Sequence, residues 1–228
     1  MSKVEVTEIN LGESVEKRPL SLKKVSLQPN QKKQLLILGG VHGDELEGVW
    51  LVSEFLKECM GSFEYQKFSV LIWPEVNPDG VSVPKRWNAN NVDLNRNLPT
   101  KDWNPNTLDP RYPPGPNPNS EPESQALVKL IEHQKPFAIL SAHSFSQFQV
   151  NYNGPSQEWA QELAKVCGYP VTSDIGYPTP GSLGTFAGKE RSIPTITLEI
   201  ERGMKKEDVL KLHLPVLYQT LKFWEARL

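Results

Sequence analysis

Apolar positions along the chain fall into short unbroken runs set between longer, mostly polar segments with helical spacing. Leu35 to Leu38 (LLIL), Phe68 to Trp73 (FSVLIW), Phe137 to Ala142 (FAILSA) and Thr195 to Ile200 (TITLEI) have the length and density of strands buried on both faces. Val4 to Ile9 and Lys24 to Leu27 read as shorter strands near the N-terminus. Helical patterns fill the intervals. One runs from about Glu45 to Met60, and one from the capping-box sequence Ser120-Glu121-Pro122-Glu123 to about Gln134. A third spans Ser156 to Cys167 and is stopped by Gly168, and the last spans Lys206 to Arg227 with Pro215 as an expected kink. Strands alternating with helices predict an α/β fold: one domain over residues 1–228, with a mixed, largely parallel twisted sheet flanked by helices on both faces.

Two segments resist regular structure. NPDG at 77–80 has the composition of a turn and leads into a polar stretch, Val81 to Asn97. Residues 99–122 contain eight of the 20 prolines, so this segment is expected to be an ordered surface loop of the kind that rims active sites.

Composition narrows the function. The 25 basic and 27 acidic residues nearly cancel, which gives no basic patch for nucleic acid or an anionic membrane. No apolar run approaches a membrane span, and the first 20 residues lack the basic-then-apolar order of a signal peptide. The two cysteines, Cys59 and Cys167, each lie late in a helical pattern with no Cys or His at ligand spacing, so reduced thiols in a cytoplasmic protein are expected.

The candidate chemistry sits where the strand runs stop. After LLIL and two glycines come His42 and Glu45, three positions apart, which lets both face one point in a turn or first helical turn. Alone, such a pair is more often a solvated polar loop than a metal site. His143 follows the FAILSA run, however, and ligands of open α/β sheets bind beyond the carboxyl ends of strands. Two histidines and one carboxylate, with a fourth position left for water, are the donor set of a catalytic zinc site. Glu199 is a carboxylate inside the apolar TITLEI run, where it needs a charge partner or a proton-handling role. Beside a metal it serves as general base; Glu201 competes for that role, and Glu199 is preferred for its more apolar neighbours. The segment RWNANNVDLNRN carries Arg86 and Arg96, whose planar forks match a carboxylate or steady an oxyanion.

In order, HGDE, NPDG, VDLNRN, SAH and TLE resemble the motifs of the zinc carboxypeptidase family, the carboxypeptidase A-like enzymes, from residue 39 to about 200. RWNANNVDLNRNLP, SEPESQAL and VTSDIGYPTPGSLGTF resemble most its short bacterial branch of murein peptide amidases. The resemblance implies that His42, Glu45 and His143 bind one zinc ion and that Arg86 polarises the scissile carbonyl. It further implies that Asn95 and Arg96 grip the substrate's terminal carboxylate, that Tyr177 caps the substrate, and that Glu199 is the catalytic glutamate. Two stretches depart from the pattern. SFSQFQVNYNG after His143 differs from the amidases, and Leu183, where the family sets side-chain preference, does not account for a zwitterionic head.

The resulting expectation is a zinc enzyme hydrolysing an amide next to a residue with a free carboxylate. By resemblance the bond joins γ-D-glutamyl to meso-diaminopimelate in a peptidoglycan-derived tripeptide recovered by the cell. Two alternatives stand beside it. One is an aspartoacylase-like N-acyl amino acid deacylase, which shares an HG-[DN]-E start and an N-R pair but not NPDG with VDLNRN. The other is a zinc-retaining binding module, which the presence of Glu199 and Arg86 disfavours because both serve the transition state more than ground-state binding.

Overall fold

QLLIL and SVLIW are buried at every position and form adjacent strands in the middle of the sheet. The computed structural model describes residues 3–28, 30–106 and 109–228, so two positions of the proline-rich loop, 107 and 108, lie outside the described residues. The strands are β1 (Glu5–Glu13), β2 (Pro19–Ser26), β3 (Gln34–Leu38), β4 (Ser69–Trp73), β5 (Ala138–Phe145), β6 (Gln149–Asn153), β7 (Val171–Thr172) and β8 (Thr195–Glu201). The helices are α1 (Leu46–Gly61), α2 (Pro78–Ser82), α3 (Pro122–Gln134), α4 (Gln157–Cys167) and α5 (Lys206–Arg227). All eight strands join one mixed sheet in the order β1-β2-β4-β3-β5-β8-β6-β7. Its centre, β4-β3-β5-β8, is parallel, as strand–helix alternation requires; β2 and β6 add antiparallel neighbours on either side.

Strand periodicity divides the core between two faces. Leu35, Ile37, Leu140, Ala142, Ile196 and Leu198 point to the face covered by α1, α4 and α5. Leu36, Leu38, Leu71, Trp73 and Ile139 point to the other, where α3 contributes Leu127, Leu130 and Ile131. That second face is apolar only over β4, β3 and the start of β5. Further across, the aligned residues are Ser141, Thr197 and Asn151, and then His143, Glu199 and Gln149. The polar rows mark where the sheet stops being core and becomes the floor of a site.

Several elements differ from the sequence expectation. The first strand extends to Glu13 through an irregularity between Asn10 and Gly12, and the second begins at Pro19, because Leu20 and Leu22 already alternate into the core. NPDG is not a turn but the start of α2, whose cap is the Asn77 side chain accepting from the Gly80 N–H at 2.9 Å. The predicted capping box does not form. Glu121 takes the cap position, and Glu123 accepts instead from the Val15 N–H and the Asn88 side chain. Pro215 lies inside a continuous α5. No helix among the described residues is long and apolar enough to cross a membrane.

Helix α1 lies tight against β5: a Cβ on Gly48 would sit 2.4 Å from the carbonyl oxygen of Ala142. Gly48→Ala therefore gains about 1 kcal/mol of helix propensity but forces two backbones apart. We expect a net loss of about 1–3 kcal/mol from the overpacking. It should appear in urea unfolding as a lower midpoint at unchanged slope, whereas an unchanged or raised midpoint would show that α1 can move away from the sheet.

Candidate metal centre and catalytic cleft

Beyond β3 the chain turns through two glycines and presents His42 and Glu45 just before α1. The turn is pressed against α2: the Gly43 N–H donates to the Arg86 carbonyl, and a Cβ on Gly43 would fall 2.0 Å from the backbone of Gly80. His143 projects from β5, directly beside Glu199 in the parallel register with β8. Three separate chain segments thus deliver their polar side chains to one end of the sheet.

The geometry is that of a donor set converging on one point. His42 Nδ1 lies 2.8 Å from Glu45 Oε1, His143 Nδ1 lies 2.8 Å from Glu45 Oε2, and the two Nδ1 atoms are 3.2 Å apart. Two imidazole nitrogens facing each other at that distance repel unless a proton or a cation lies between them. One ligand atom from each of the three residues falls within 4.8 Å of the others, and all three side chains are buried. Burial opposes ionisation of Glu45, yet the two flanking imidazoles hold its carboxyl well below the usual range. The donor chemistry, two imidazoles and one carboxylate, fits zinc. Cys59 and Cys167 are buried free thiols and no part of this group.

Asp93 is the residue the sequence did not single out. It is fully buried, and its Oδ1 lies 3.1 Å from His42 Nε2 while its Oδ2 accepts from Arg86 Nε at 2.9 Å. Burial opposes its charge, but Arg86 and His42 hold its carboxyl far below the usual range. A carboxylate on the far nitrogen of a ligand histidine fixes the tautomer that leaves Nδ1 free to bind metal. The signal was present in VDLNRN, where Asp93 also caps the turn Leu94–Arg96 by accepting from the Asn95 N–H.

The other expected residues gather in the same cleft of about 440 Å³, whose walls include Arg86, Asn95, Arg96, Tyr177 and Glu199. Glu199 is buried, and burial pushes its carboxyl up to about 7, whereas Glu201 is exposed outside the cleft walls. Arg86 reaches Glu45 Oε1 at 3.4 Å. Arg96 is 4% exposed and donates to the Asn95 carbonyl at 2.6 Å, with no carboxylate partner among the described residues. Asn95 accepts from the Leu183 N–H at 2.8 Å, which turns the Leu183 side chain away into the second core. Ser182 and Gly184, on either side of it, line the adjoining pocket instead. The unexpected stretch after His143 contains β6, whose Asn151 and Asn153 face that pocket.

A family model described as zinc carboxypeptidase matches residues 3–174. The chain belongs to the zinc carboxypeptidase family. Within this family of hydrolytic enzymes it is 33% identical over 207 residues to murein peptide amidase A from Vibrio campbellii, an alignment covering 86% of this chain and 79% of that protein. The crystal structure of a murein-tripeptide amidase from Escherichia coli O157 superposes with a TM-score of 0.77 at 28% identity, covering 94% of this chain and 91% of that one. Carboxypeptidase A from Helicoverpa armigera shares the fold, with a TM-score of 0.81 at 18% identity over 97% of this chain and 68% of that one.

For this family member the role of Asp93 can be separated from folding. Asp93→Asn keeps the shape but removes the charge that orients His42, and we expect zinc affinity to fall about 10- to 100-fold. Competition against a chromogenic chelator measures it, with circular dichroism to confirm the fold. Unchanged affinity would mean that His42 is oriented without Asp93.

Proposed function

We propose that this chain is a zinc-dependent peptidase that hydrolyses an amide bond next to a residue with a free carboxylate, the bond between γ-D-glutamyl and meso-diaminopimelate in murein-derived tripeptides. The observation that carries the reading is Arg96, buried in the same cleft as the His42–Glu45–His143 group and Glu199, with one N–H on the Asn95 carbonyl and no carboxylate against it among the described residues. A buried guanidinium with no anionic protein partner calls for an anion from outside. The amidase relatives support the substrate, and a small peptide is the expected partner.

In this reading His42, Glu45 and His143 hold one zinc ion. When bound, the ion supplies Lewis acidity toward the scissile carbonyl and lowers the pKa of water. Arg96 and Asn95 fix the carboxylate of the departing residue, so the scissile bond arrives in register with Glu199. Arg86, held on one side by Asp93, offers its remaining N–H groups to the carbonyl oxygen as charge develops there. Glu199 takes a proton from the attacking water and delivers it to the leaving nitrogen. Tyr177 covers the cleft.

The pocket beyond Glu199 accounts for the side chain of the departing residue. Its floor carries Asn151, Asn153 and Thr197, and the exposed Asp174 and Lys189 add one charge of each sign. A side chain ending in both an ammonium and a carboxylate, as in diaminopimelate, matches that lining, and an aliphatic or aromatic one does not. The relatives named above are amidases and a carboxypeptidase, which gives the deacylase reading no support. A single catalytic domain acting on recovered murein peptides in the cytoplasm completes the proposal, and the two unpaired buried thiols support that compartment.

The decisive assay is mass spectrometry of L-Ala-γ-D-Glu-meso-diaminopimelate incubated with the zinc-loaded enzyme, alongside the same peptide amidated at the carboxylate next to the scissile bond. A hydrogen bond to a charged group is worth about 1.5–3 kcal/mol. We therefore expect amidation to lower kcat/KM at least about tenfold, and Arg96→Ala to cost a similar amount on the acid but little more on the amide. Equal cleavage of acid and amide would sink the clamp.

Glu199→Gln should fold and retain zinc while turnover falls by about two to four orders of magnitude. Near-normal turnover, with the loss appearing in Glu201→Gln instead, would move the base to the neighbour.

The pH profile follows from the sign of the Glu199 shift. Only its carboxylate form accepts a proton, so kcat/KM falls as pH drops through its pKa. Burial raises that value from 4.5 to about 7, and a nearby dication pulls it back down. The acid limb should lie between those two values in a titration from pH 4 to 9. A limb centred at or below the ordinary carboxylate value would show that burial does not govern this group.

A further inference from the structure

Tyr177 sits on a stretch with little to hold it. Among the described residues, no backbone hydrogen bond ties 173–180 to the rest of the chain; the Gly176 N–H donates to Asp174 within the same turn, and anchoring resumes at Gly181. Yet the Tyr177 ring lies over the catalytic cleft. What meets it there is aromatic and cationic. Tyr112 is stacked on it, with ring centres 5.8 Å apart and planes 10° from parallel; Phe145 is tilted at 6.3 Å, and the Arg96 guanidinium lies 5.8 Å away.

Tyr112 itself is firmly placed, although it belongs to the proline-rich loop. The carbonyl before it, of Arg111, accepts from the Trp87 indole at 2.8 Å, and the carbonyl after it, of Pro113, accepts from the Asp93 N–H at 2.8 Å. The next, of Pro114, accepts from the Asn97 side chain at 2.8 Å. Its ring also receives the guanidiniums of Arg86 at 4.8 Å and Arg96 at 5.0 Å, which approach the negative face of the ring. One side chain therefore touches Arg86, Arg96 and the tyrosine above them.

We infer that Tyr112 is a positioning residue, the fixed dock against which the Tyr177 segment closes over the cleft and between whose contacts Arg86 and Arg96 are held. The inference rests on the reading of Tyr177 as the residue covering the substrate. Tyr112 touches neither the metal ligands nor Glu199. It acts through the ring and the two guanidiniums, so its contribution belongs to binding more than to the chemical step. The ring is what matters: the stacking and cation contacts require a π face, and no hydrogen bond from the Tyr112 hydroxyl is among those the structure shows.

The test needs no substrate, so its failure is distinct from failure of the amidase reading. The zinc-loaded full chain is treated with tetranitromethane, and nitration of each tyrosine is followed by peptide mass spectrometry in the unmodified protein, Tyr112→Ala and Tyr112→Phe. We expect Tyr177 to nitrate about two- to tenfold faster in Tyr112→Ala, the range an aromatic pair supports, and to recover in Tyr112→Phe. The buried Tyr65 and Tyr169 should be unaffected. On the tripeptide, KM should rise by a similar factor in Tyr112→Ala, with a smaller change in kcat. Unchanged nitration of Tyr177, a parallel rise at Tyr65 and Tyr169, or no recovery in Tyr112→Phe would each overturn the dock.

Discussion

A carboxylate with no access to water, Asp93, stands between the two positively charged halves of the site. One oxygen faces His42, and the other is shared by two nitrogens of Arg86, so the metal-binding imidazole and the guanidinium that faces the carbonyl are referred to the same rigid atoms. Burying that charge is costly in isolation and tolerable only because both partners are in place. The reverse also holds. Arg86 and His42 keep their positions because Asp93 is locked by its own backbone, whose N–H donates to Pro113 and whose side chain caps the following turn. The separation between metal and oxyanion donor, the distance that decides whether the site works, is therefore set by bonds of two or three atoms and not by a long path through the fold.

The sheet contributes a second constraint. Its helix-covered face is apolar from β4 to β6, while the opposite face changes from Leu36 and Ile139 to Ser141, Thr197 and Asn151 within two strand spacings. Strands β8 and β6 are amphipathic in a direction opposite to a surface strand: their polar side looks inward, to a pocket. The short π-helix Gly184–Lys189 closes that pocket, with Gly184 and Gly188 packed directly on Asn153.

Much of this was readable from the residues alone. The central strands are buried on both faces and so are apolar without interruption, and glycines mark where LLIL ends; His42, Glu45, His143 and Glu199 stood out as polar residues at or within such runs. Strand β6 was not legible, since QVNYN turns Asn151 and Asn153 toward a polar pocket and reads like a loop. Asp93 lies within a motif without standing out, because an aspartate in a loop looks alike whether it is solvated or buried, and only the approach of Arg86 and His42 tells them apart. Leu183 fell at the position tied to side-chain preference, but the Asn95 contact at its N–H rotates it into the core. The capping box failed for a similar reason: tertiary partners outcompeted the local bond Glu123 was expected to make.

The proline-rich loop has one further property. Proline has no N–H, so a segment rich in it makes few backbone bonds of its own, here Trp103 to the Thr100 carbonyl and Tyr112 to the Asp109 carbonyl. The rest of its order is imported. The single side-chain amide of Asn97 donates to the carbonyls of Pro114 and Asn117 and to the hydroxyl of Ser120, while its oxygen accepts from the Glu121 N–H. The rim of the cleft is thus tethered at a few points, to Trp87, to the turn that carries Asn95 and Arg96 and to Gly181, and among the described residues no hydrogen bond runs from it to a sheet strand. Such an arrangement makes the rim an exchangeable part: residues between the tethers can be lengthened, shortened or recoloured without disturbing the strands that hold the chemistry, so that a new substrate could be admitted by rewriting a loop and leaving the catalytic frame alone.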